Sequence, residues 1–232
     1  MNAEGQHFHL RLVSGESPSP LPQEFPEDPA QRALLTGVLQ ALMASLDAKD
    51  SYTKGHSERV AHLARLIGLK LGLTELELQK LVLAGLVHDL GKIGVPEQIL
   101  RKTERLTDAE YDMVKLHPEI GRKIVNEIPL LFQVIPAVLH HHERWDGRGY
   151  PSGLQNDSIP LFARILAVAD SFDAMSSTRC YQTSKSQDQV LIEMRKCQGS
   201  QFDPEVTQAL LEADLTTYEQ LLERHIAGKN AA

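Results

Sequence analysis

The chain has 232 residues, 42% of them hydrophobic, so it can bury one sizeable core and one main domain is expected. Its formal net charge of −7 argues against a nucleic-acid groove, which needs clustered Lys and Arg. The sequence predicts no membrane span, and the start MNAEGQHFHLRL lacks the features of a secretory signal. Two cysteines, Cys180 and Cys197, are too few for a disulfide scaffold, so we expect a reduced, cytoplasmic setting.

The first 29 residues differ from the rest. Residues 14–29 read SGESPSPLPQEFPEDP, and their five prolines predict that residues 1–29 are a linker or disordered lead-in. From residue 30 onward, apolar residues recur every three or four positions, which is typical of amphipathic helices. We therefore expect residues 30–232 to form an all-α bundle of roughly eight or nine helices. The helical segments are 32–50, 56–72, 74–91, 106–116, 130–142, 159–175, 186–197 and 204–223.

Imidazole and carboxylate side chains interrupt the apolar faces of these predicted helices. In the third helix, for example, the stripe that contains Leu78 and Leu81 continues onto His88 and Asp89. The other candidates open a helix, precede a proline, or lie within an otherwise apolar segment. Together the candidates are His56, His88, Asp89, His117, His141, His142 and Asp170.

Each candidate alone has a simpler interpretation, because buried polar groups are normally hydrogen-bonded within the core. The same holds for Asp173, which lies in the same apolar segment as Asp170 and would be explained as a cap or as the partner of Arg164 or Arg179. Five histidines and two aspartates on separate helices are hard to satisfy together without metal. Imidazole and carboxylate without thiolate suit iron, manganese, zinc, nickel or cobalt, and seven ligands favour two ions. His140 is expected to support the site or the fold only.

Five motifs in order along the chain carry a family resemblance. They are HSERV at 56–60, HDLGK at 88–92, HPEIG at 117–121, HHERWDGRGYP at 141–151 and VADSFDAM at 168–175. Over about residues 45–210 the chain resembles the HD-GYP family, a branch of the HD metal-dependent phosphohydrolases.

The resemblance implies an HD-domain helical bundle that hydrolyses cyclic di-GMP to linear pGpG, or onward to GMP, through a hydroxide bridging two metals. By position, one metal would be held by His56, His88, Asp89 and Asp170. Asp89 would bridge to a second metal, whose other ligands would be His117, His141 and His142. We expect iron or manganese, with zinc, nickel or cobalt as alternatives.

The resemblance also implies substrate contacts. Lys92 would act with Asp89 in catalysis, and both Lys92 and Arg179 would contact phosphate. Tyr150, Asp146 and Gly149 would form the loop beside the substrate, with Tyr150 serving binding and loop shape rather than proton transfer.

Two departures from the family pattern affect these expectations. Tyr52 stands where some members carry a glutamate for a third metal, which favours two ions. Gln182, two residues after Cys180, replaces a family cation and keeps alternatives open. These are a weakly active or inactive module that binds cyclic di-GMP or a protein, and a hydrolase of a related cyclic dinucleotide. No sensor domain is recognisable. We expect signalling proteins such as diguanylate cyclases as partners, and a second copy of the chain in a homodimer.

Overall fold

The computed structural model describes residues 28–49, 55–177 and 186–230. In these ranges it contains no strand, so the predicted all-α class is confirmed. Nine of its helices have seven residues or more, in line with the predicted eight or nine. The α-helices are α1 Pro29–Lys49, α2 His56–Lys70, α3 Glu75–Val87, α4 Glu97–Leu100, α5 Asp108–Val114, α6 His117–Val125, α7 Ile135–His140, α8 Leu161–Ser176, α9 Gln187–Cys197, α10 Pro204–Leu211 and α11 Thr216–Asn230.

Three helices begin with a reciprocal capping box. Thr74, Thr107 and Ser186 precede α3, α5 and α9, and each side chain accepts the backbone N–H of the third helical residue. The side chain of that third residue, Glu or Gln, accepts the N–H of the capping residue in return. Each cap contributes on the order of 1 kcal/mol and fixes where its helix starts. These starts set the register of the apolar faces that follow.

The core lies where α2, α3 and α8 meet. Leu63, Leu81 and Leu166, one from each helix, are fully buried there. The α2 and α3 backbones approach closely at Gly85, where a Cβ atom would lie 2.7 Å from the Cα atom of Ala61. Only glycine permits this approach, and it brings the end of α3 beside the start of α2. Three residues of the candidate site, His56, His88 and Asp89, lie at these two helix ends.

Two predicted helices are interrupted in the structure. Segment 130–142 is a 3-10 helix, Pro129–Val134, followed by α7, because Pro136 lacks the N–H that a continuous helix would use. Segment 204–223 divides into α10 and α11, and the Asp214 carboxylate accepts the backbone N–H of Thr216 at the new start. Both predictions of a single helix were wrong.

The limits of the described ranges leave one prediction open. The proline-rich lead-in lies almost entirely outside them, so the boundary near residue 29 stays a prediction. Within the described part of the chain, no helix is long and apolar enough to cross a membrane.

Candidate metal centre

Helix ends carry most of the candidate ligands. His56 and His117 are the first residues of α2 and α6, while His88 and His141 directly follow α3 and α7. The structure brings all seven predicted ligands together as two groups whose ligand atoms lie within 4.8 Å of one another in each group. One group is Asp89, His117, His141 and His142, and the other is His56, His88 and Asp170.

The Asp89 carboxylate stands between the two groups. Its Oδ2 lies 3.4 Å from Nε2 of His88 and 3.8 Å from Nε2 of His56. Its Oδ1 lies 3.3 Å from Nε2 of His117 and 3.9 Å from Nε2 of His141. One oxygen therefore faces each group, which is the geometry that a carboxylate bridging two cations requires.

Backbone carbonyls fix the orientation of three imidazoles. Nδ1 of His88, His117 and His141 lies 2.7, 2.8 and 2.8 Å from the carbonyl oxygen three residues earlier in each case. A carbonyl oxygen only accepts, so each Nδ1 carries a proton and each ring directs its Nε2 atom to the centre. This is the arrangement by which proteins hold histidine as a metal ligand.

The convergence of these Nε2 atoms calls for a cation. Nε2 of His117 and Nε2 of His141 face each other at 3.2 Å, and neither neutral ring has a proton to share there. Among the described residues, Nε2 of His88 is buried without a hydrogen-bond partner. Buried polar atoms are normally satisfied, and acceptors that surround a carboxylate repel one another. The residues present therefore fit two divalent metal ions.

Two carboxylates on α8 bracket His56. Oδ1 of Asp170 lies 3.1 Å from Nε2, and Oδ2 of Asp173 lies 2.7 Å from Nδ1. Asp173 also accepts hydrogen bonds from Arg59, so its suggested pairing with Arg164 was wrong, while the alternative partner Arg179 lies outside the described residues. Arg164 instead contacts the carboxylates of Asp157 and Asp203.

The electrostatics keep most of the donor set free of protons. Burial lowers the pKa of His117 to about 3 and that of His142 to about 4. Burial would raise the pKa of Asp89, but Lys92 and His88 outweigh it and hold that pKa well below its usual range. His56 is the exception: burial alone would lower its pKa, but the carboxylates of Asp170 and Asp173 outweigh burial and raise it to about 9.

Lys92 lies next to the bridging carboxylate. It belongs to the 3-10 turn Leu90–Gly94 that follows Asp89, and its Nζ lies 2.5 Å from Oδ2 of Asp89. Its side chain is 15% exposed, so the ammonium is largely sheltered from water. A fixed positive charge at this edge of the centre is suited to a negatively charged substrate group.

The loop that contains Tyr150 folds back over the second group. The Tyr150 ring stacks on His142 with centroids 4.9 Å apart, and its backbone N–H donates to the His142 carbonyl at 3.2 Å. Burial raises the pKa of Tyr150, so its phenol stays neutral. Gly149 allows the loop to close, because a Cβ atom there would lie 2.3 Å from the backbone nitrogen of Arg144. Asp146 accepts hydrogen bonds from Arg144 within the same loop.

Glu143 is a buried acid that the sequence interpretation did not single out. Glu143 is 3% exposed, and its carboxylate accepts the backbone N–H groups of Ser152 at 2.7 Å and Leu154 at 3.2 Å. Nδ1 of His140 lies 3.5 Å from the same carboxylate, so the expectation of a supporting role for His140 remains a prediction. Glu143 thereby ties the return of the Tyr150 loop to the segment that carries His141 and His142.

Four residues singled out in the sequence fall outside the described residues. They are Tyr52, Arg179, Cys180 and Gln182.

The all-α fold and the paired His/Asp groups define a class of protein, the HD-type metal-dependent phosphohydrolases. A family model described as the HD domain matches residues 40–206, and the chain belongs to this family. Its motifs place it in the HD-GYP branch, in agreement with its relatives.

Several curated relatives share more than a third of the aligned residues with this chain. The chain is 40% identical over 175 residues to the cyclic di-GMP phosphodiesterase response regulator RpfG of Xanthomonas campestris, covering 75% of this chain and 46% of the relative. It is 39% identical over 179 residues to a cyclic di-GMP phosphodiesterase of Thermotoga maritima, covering 76% of this chain and 49% of the relative. It is 37% identical over 185 residues to the 3'3'-cGAMP-specific phosphodiesterase 3 of Vibrio cholerae, covering 80% of this chain and 40% of the relative. The chain thus spans about half the length of the curated relatives it matches.

Solved structures share the fold. Bd1817, an HD-GYP-type protein from Bdellovibrio bacteriovorus, aligns with a TM-score of 0.57 at 20% identity, over 75% of this chain and 59% of that chain. A cyclic GMP-AMP specific phosphodiesterase of V. cholerae aligns with a TM-score of 0.58 at 22% identity, over 82% and 50%. At these identities the likeness concerns the fold.

Proposed function

We propose that this chain is a metal-dependent phosphodiesterase that hydrolyses cyclic di-GMP to linear pGpG. The observation that carries the proposal is the Asp89 carboxylate, whose two oxygens face separate groups of imidazole Nε2 atoms. Two relatives named cyclic di-GMP phosphodiesterases, at 40% and 39% identity, support the substrate.

The ligand sets follow the two groups. One metal would be held by His56, His88, Asp170 and Asp89. The other would be held by His117, His141, His142 and the same Asp89. Two divalent ions in these positions would activate water and neutralise charge on the scissile phosphate.

The surrounding side chains have separate roles in the proposal. Lys92, beside Asp89, offsets negative charge that develops on the phosphoryl oxygens. Tyr150 offers a neutral aromatic surface next to His142, while Asp146 and Gly149 shape the loop that presents it. Arg179 remains our second phosphate contact, on the strength of the family motif alone.

We infer iron or manganese as the native metal. Imidazole and carboxylate ligands without thiolate suit both, and zinc, nickel and cobalt are accepted by the same donors. The signalling class of the relatives supports a bacterial cytoplasmic setting and protein partners such as diguanylate cyclases, with a homodimer as the assembly to test.

A related substrate is the second candidate. Three relatives at 36–37% identity are named 3'3'-cGAMP-specific phosphodiesterases, so a hybrid cyclic dinucleotide is a specific alternative. A third option, a binding module of weak activity, rests on Gln182.

The test is turnover of cyclic di-GMP and 3'3'-cGAMP by protein loaded with Mn²⁺ or Fe²⁺, with product identified by chromatography. We expect pGpG from cyclic di-GMP, and no product after chelation or in His117→Ala. Faster turnover of 3'3'-cGAMP would reassign the substrate. If either dinucleotide binds at full metal content and no product forms, the chain is a binding module rather than an enzyme.

A further inference from the structure

A buried hydrogen-bond network lies behind His56, on the side away from the other ligands. Oδ2 of Asp173 lies 2.7 Å from Nδ1 of His56 and accepts from Arg59 at 2.9 Å. Oδ1 accepts from Nε of Arg59 at 2.7 Å and from the Tyr218 hydroxyl at 2.9 Å. Asp173 is fully buried, and Arg59 and Tyr218 are 3% and 2% exposed. The Asp173 carboxylate is thus held by four donor groups, one of which is Nδ1 of the candidate metal ligand His56.

The last helix supplies one of these donors. Tyr218 belongs to α11, Thr216–Asn230, which lies beyond residue 206, where the family match ends. The same helix touches the chain beside His56 a second time. Gly55 has a left-handed φ of 73°, and a Cβ atom there would lie 2.3 Å from the His225 ring. Helix α11 therefore packs against the start of α2 at two points, although it belongs to no recognised motif of the site.

We infer that Tyr218 is a positioning residue of the metal centre, acting through Asp173 on His56. The inference rests on the proposed metal centre and names a contribution from outside the family-matched segment.

The physical argument concerns which nitrogen of His56 stays available. Asp173 accepts the Nδ1 proton, so Nε2 is the atom presented to the metal, 3.8 Å from Oδ2 of Asp89. A carboxylate acts in this way only if it cannot rotate. The Tyr218 hydroxyl and Nε of Arg59 together fix Oδ1, which leaves Oδ2 directed at His56. Loss of an outer partner of a metal-binding histidine weakens metal affinity by about 10- to 100-fold.

Tyr218→Phe tests the inference with the smallest change, because it removes one hydroxyl and keeps the ring that packs edge-on against Phe172 at 5.4 Å. Mn²⁺ binding is measured by electron paramagnetic resonance of the unbound ion during titration. Val190→Ala is the control for a general loss of stability, because Val190 is fully buried in α9, which packs against α8 and α10.

We expect wild type to bind two Mn²⁺ ions and Tyr218→Phe to hold one of them about tenfold more weakly. The other ion keeps its affinity, and turnover at saturating Mn²⁺ is retained while the half-maximal Mn²⁺ concentration rises. Wild-type affinity in Tyr218→Phe, or equal weakening in Val190→Ala, overturns the role of Tyr218 but leaves the metal centre intact. Fewer than two ions in wild type overturns the metal centre itself.

Discussion

Gly91 offers a sharp test of how the two ligand groups are held together. It lies two residues after Asp89, in the 3-10 turn Leu90–Gly94, and faces the start of α6. A Cβ atom at Gly91 would lie 1.8 Å from the carbonyl oxygen of His117 and 2.5 Å from the backbone nitrogen of Gly121. Gly91→Ala therefore separates the backbone that carries Asp89 from the backbone that carries His117.

The size of the effect follows from these distances. Real Cβ atoms essentially never approach a heavy atom closer than 3.0 Å, so the turn and α6 must move apart by at least about 1.2 Å. Metal–ligand distances tolerate only about 0.2 Å, and a misplacement of about 1 Å can lower a rate by about 100-fold. We expect Gly91→Ala to lose the ion held by His117 and to turn over cyclic di-GMP about 100-fold more slowly. Overpacking of this kind also lowers stability by about 1–3 kcal/mol.

The assay combines elemental analysis, turnover and circular dichroism on the same preparations. Gly37→Ala is the matched control, because a Cβ atom at Gly37 meets nothing within 4 Å and α1 gains helix propensity of about 1 kcal/mol. It should keep metal and turnover. A folded Gly91→Ala protein with two ions and wild-type turnover would refute the claim that this close approach positions His117.

Three further predictions concern protons, the loop and the substrate charge. At pH values below the His56 pKa of about 9, a metal ion that binds His56 must displace a proton. The metal affinity of this site should therefore rise about tenfold from pH 7 to pH 8. The metal affinity of the His117 site should stay constant over this range because the His117 pKa is about 3. Calorimetric titration with Mn²⁺ at both pH values measures the two affinities, and equal changes at both sites would contradict the prediction. Glu143→Gln removes one of the carboxylate oxygens that receive the Ser152 and Leu154 N–H groups, so KM for cyclic di-GMP should rise several-fold at unchanged metal content; an unchanged KM would separate this loop from substrate binding. Lys92→Ala should keep both ions and lower kcat by about 100-fold, whereas wild-type kcat would place the phosphate elsewhere.

The sequence indicated the candidate ligands because polar residues on apolar helical faces are unusual enough to stand out. His88 and Asp89 extend an apolar stripe, and the structure places both in the buried centre. The histidine tautomers could not be predicted from the sequence, although a local contact determines them. A histidine just past a helix end places Nδ1 against the carbonyl oxygen three residues earlier. Helix breaks were harder to predict, because Pro136 weakens the helix without disturbing its apolar period.

The contacts behind the ligands depend on the tertiary fold. Asp173 and Tyr218 are 45 residues apart in the chain, and no periodicity indicates that they meet. Arg59 gave a weak signal, since it stands three residues after His56 on the same face of α2 and is buried. Glu143 lay inside a recognised motif, but its role depends on the path of the loop as far as Leu154.

The central claim is that Asp89 bridges two metal ions in a phosphodiesterase, and Asp89→Asn tests it most directly because the shape is kept while the bridging charge is removed. Metal per chain and cyclic di-GMP turnover are measured on wild type and variant after identical loading with Mn²⁺. We predict two ions and pGpG formation for wild type, and at most one ion without turnover for Asp89→Asn. One ion or fewer in wild type, or near-normal turnover in Asp89→Asn, would contradict the account.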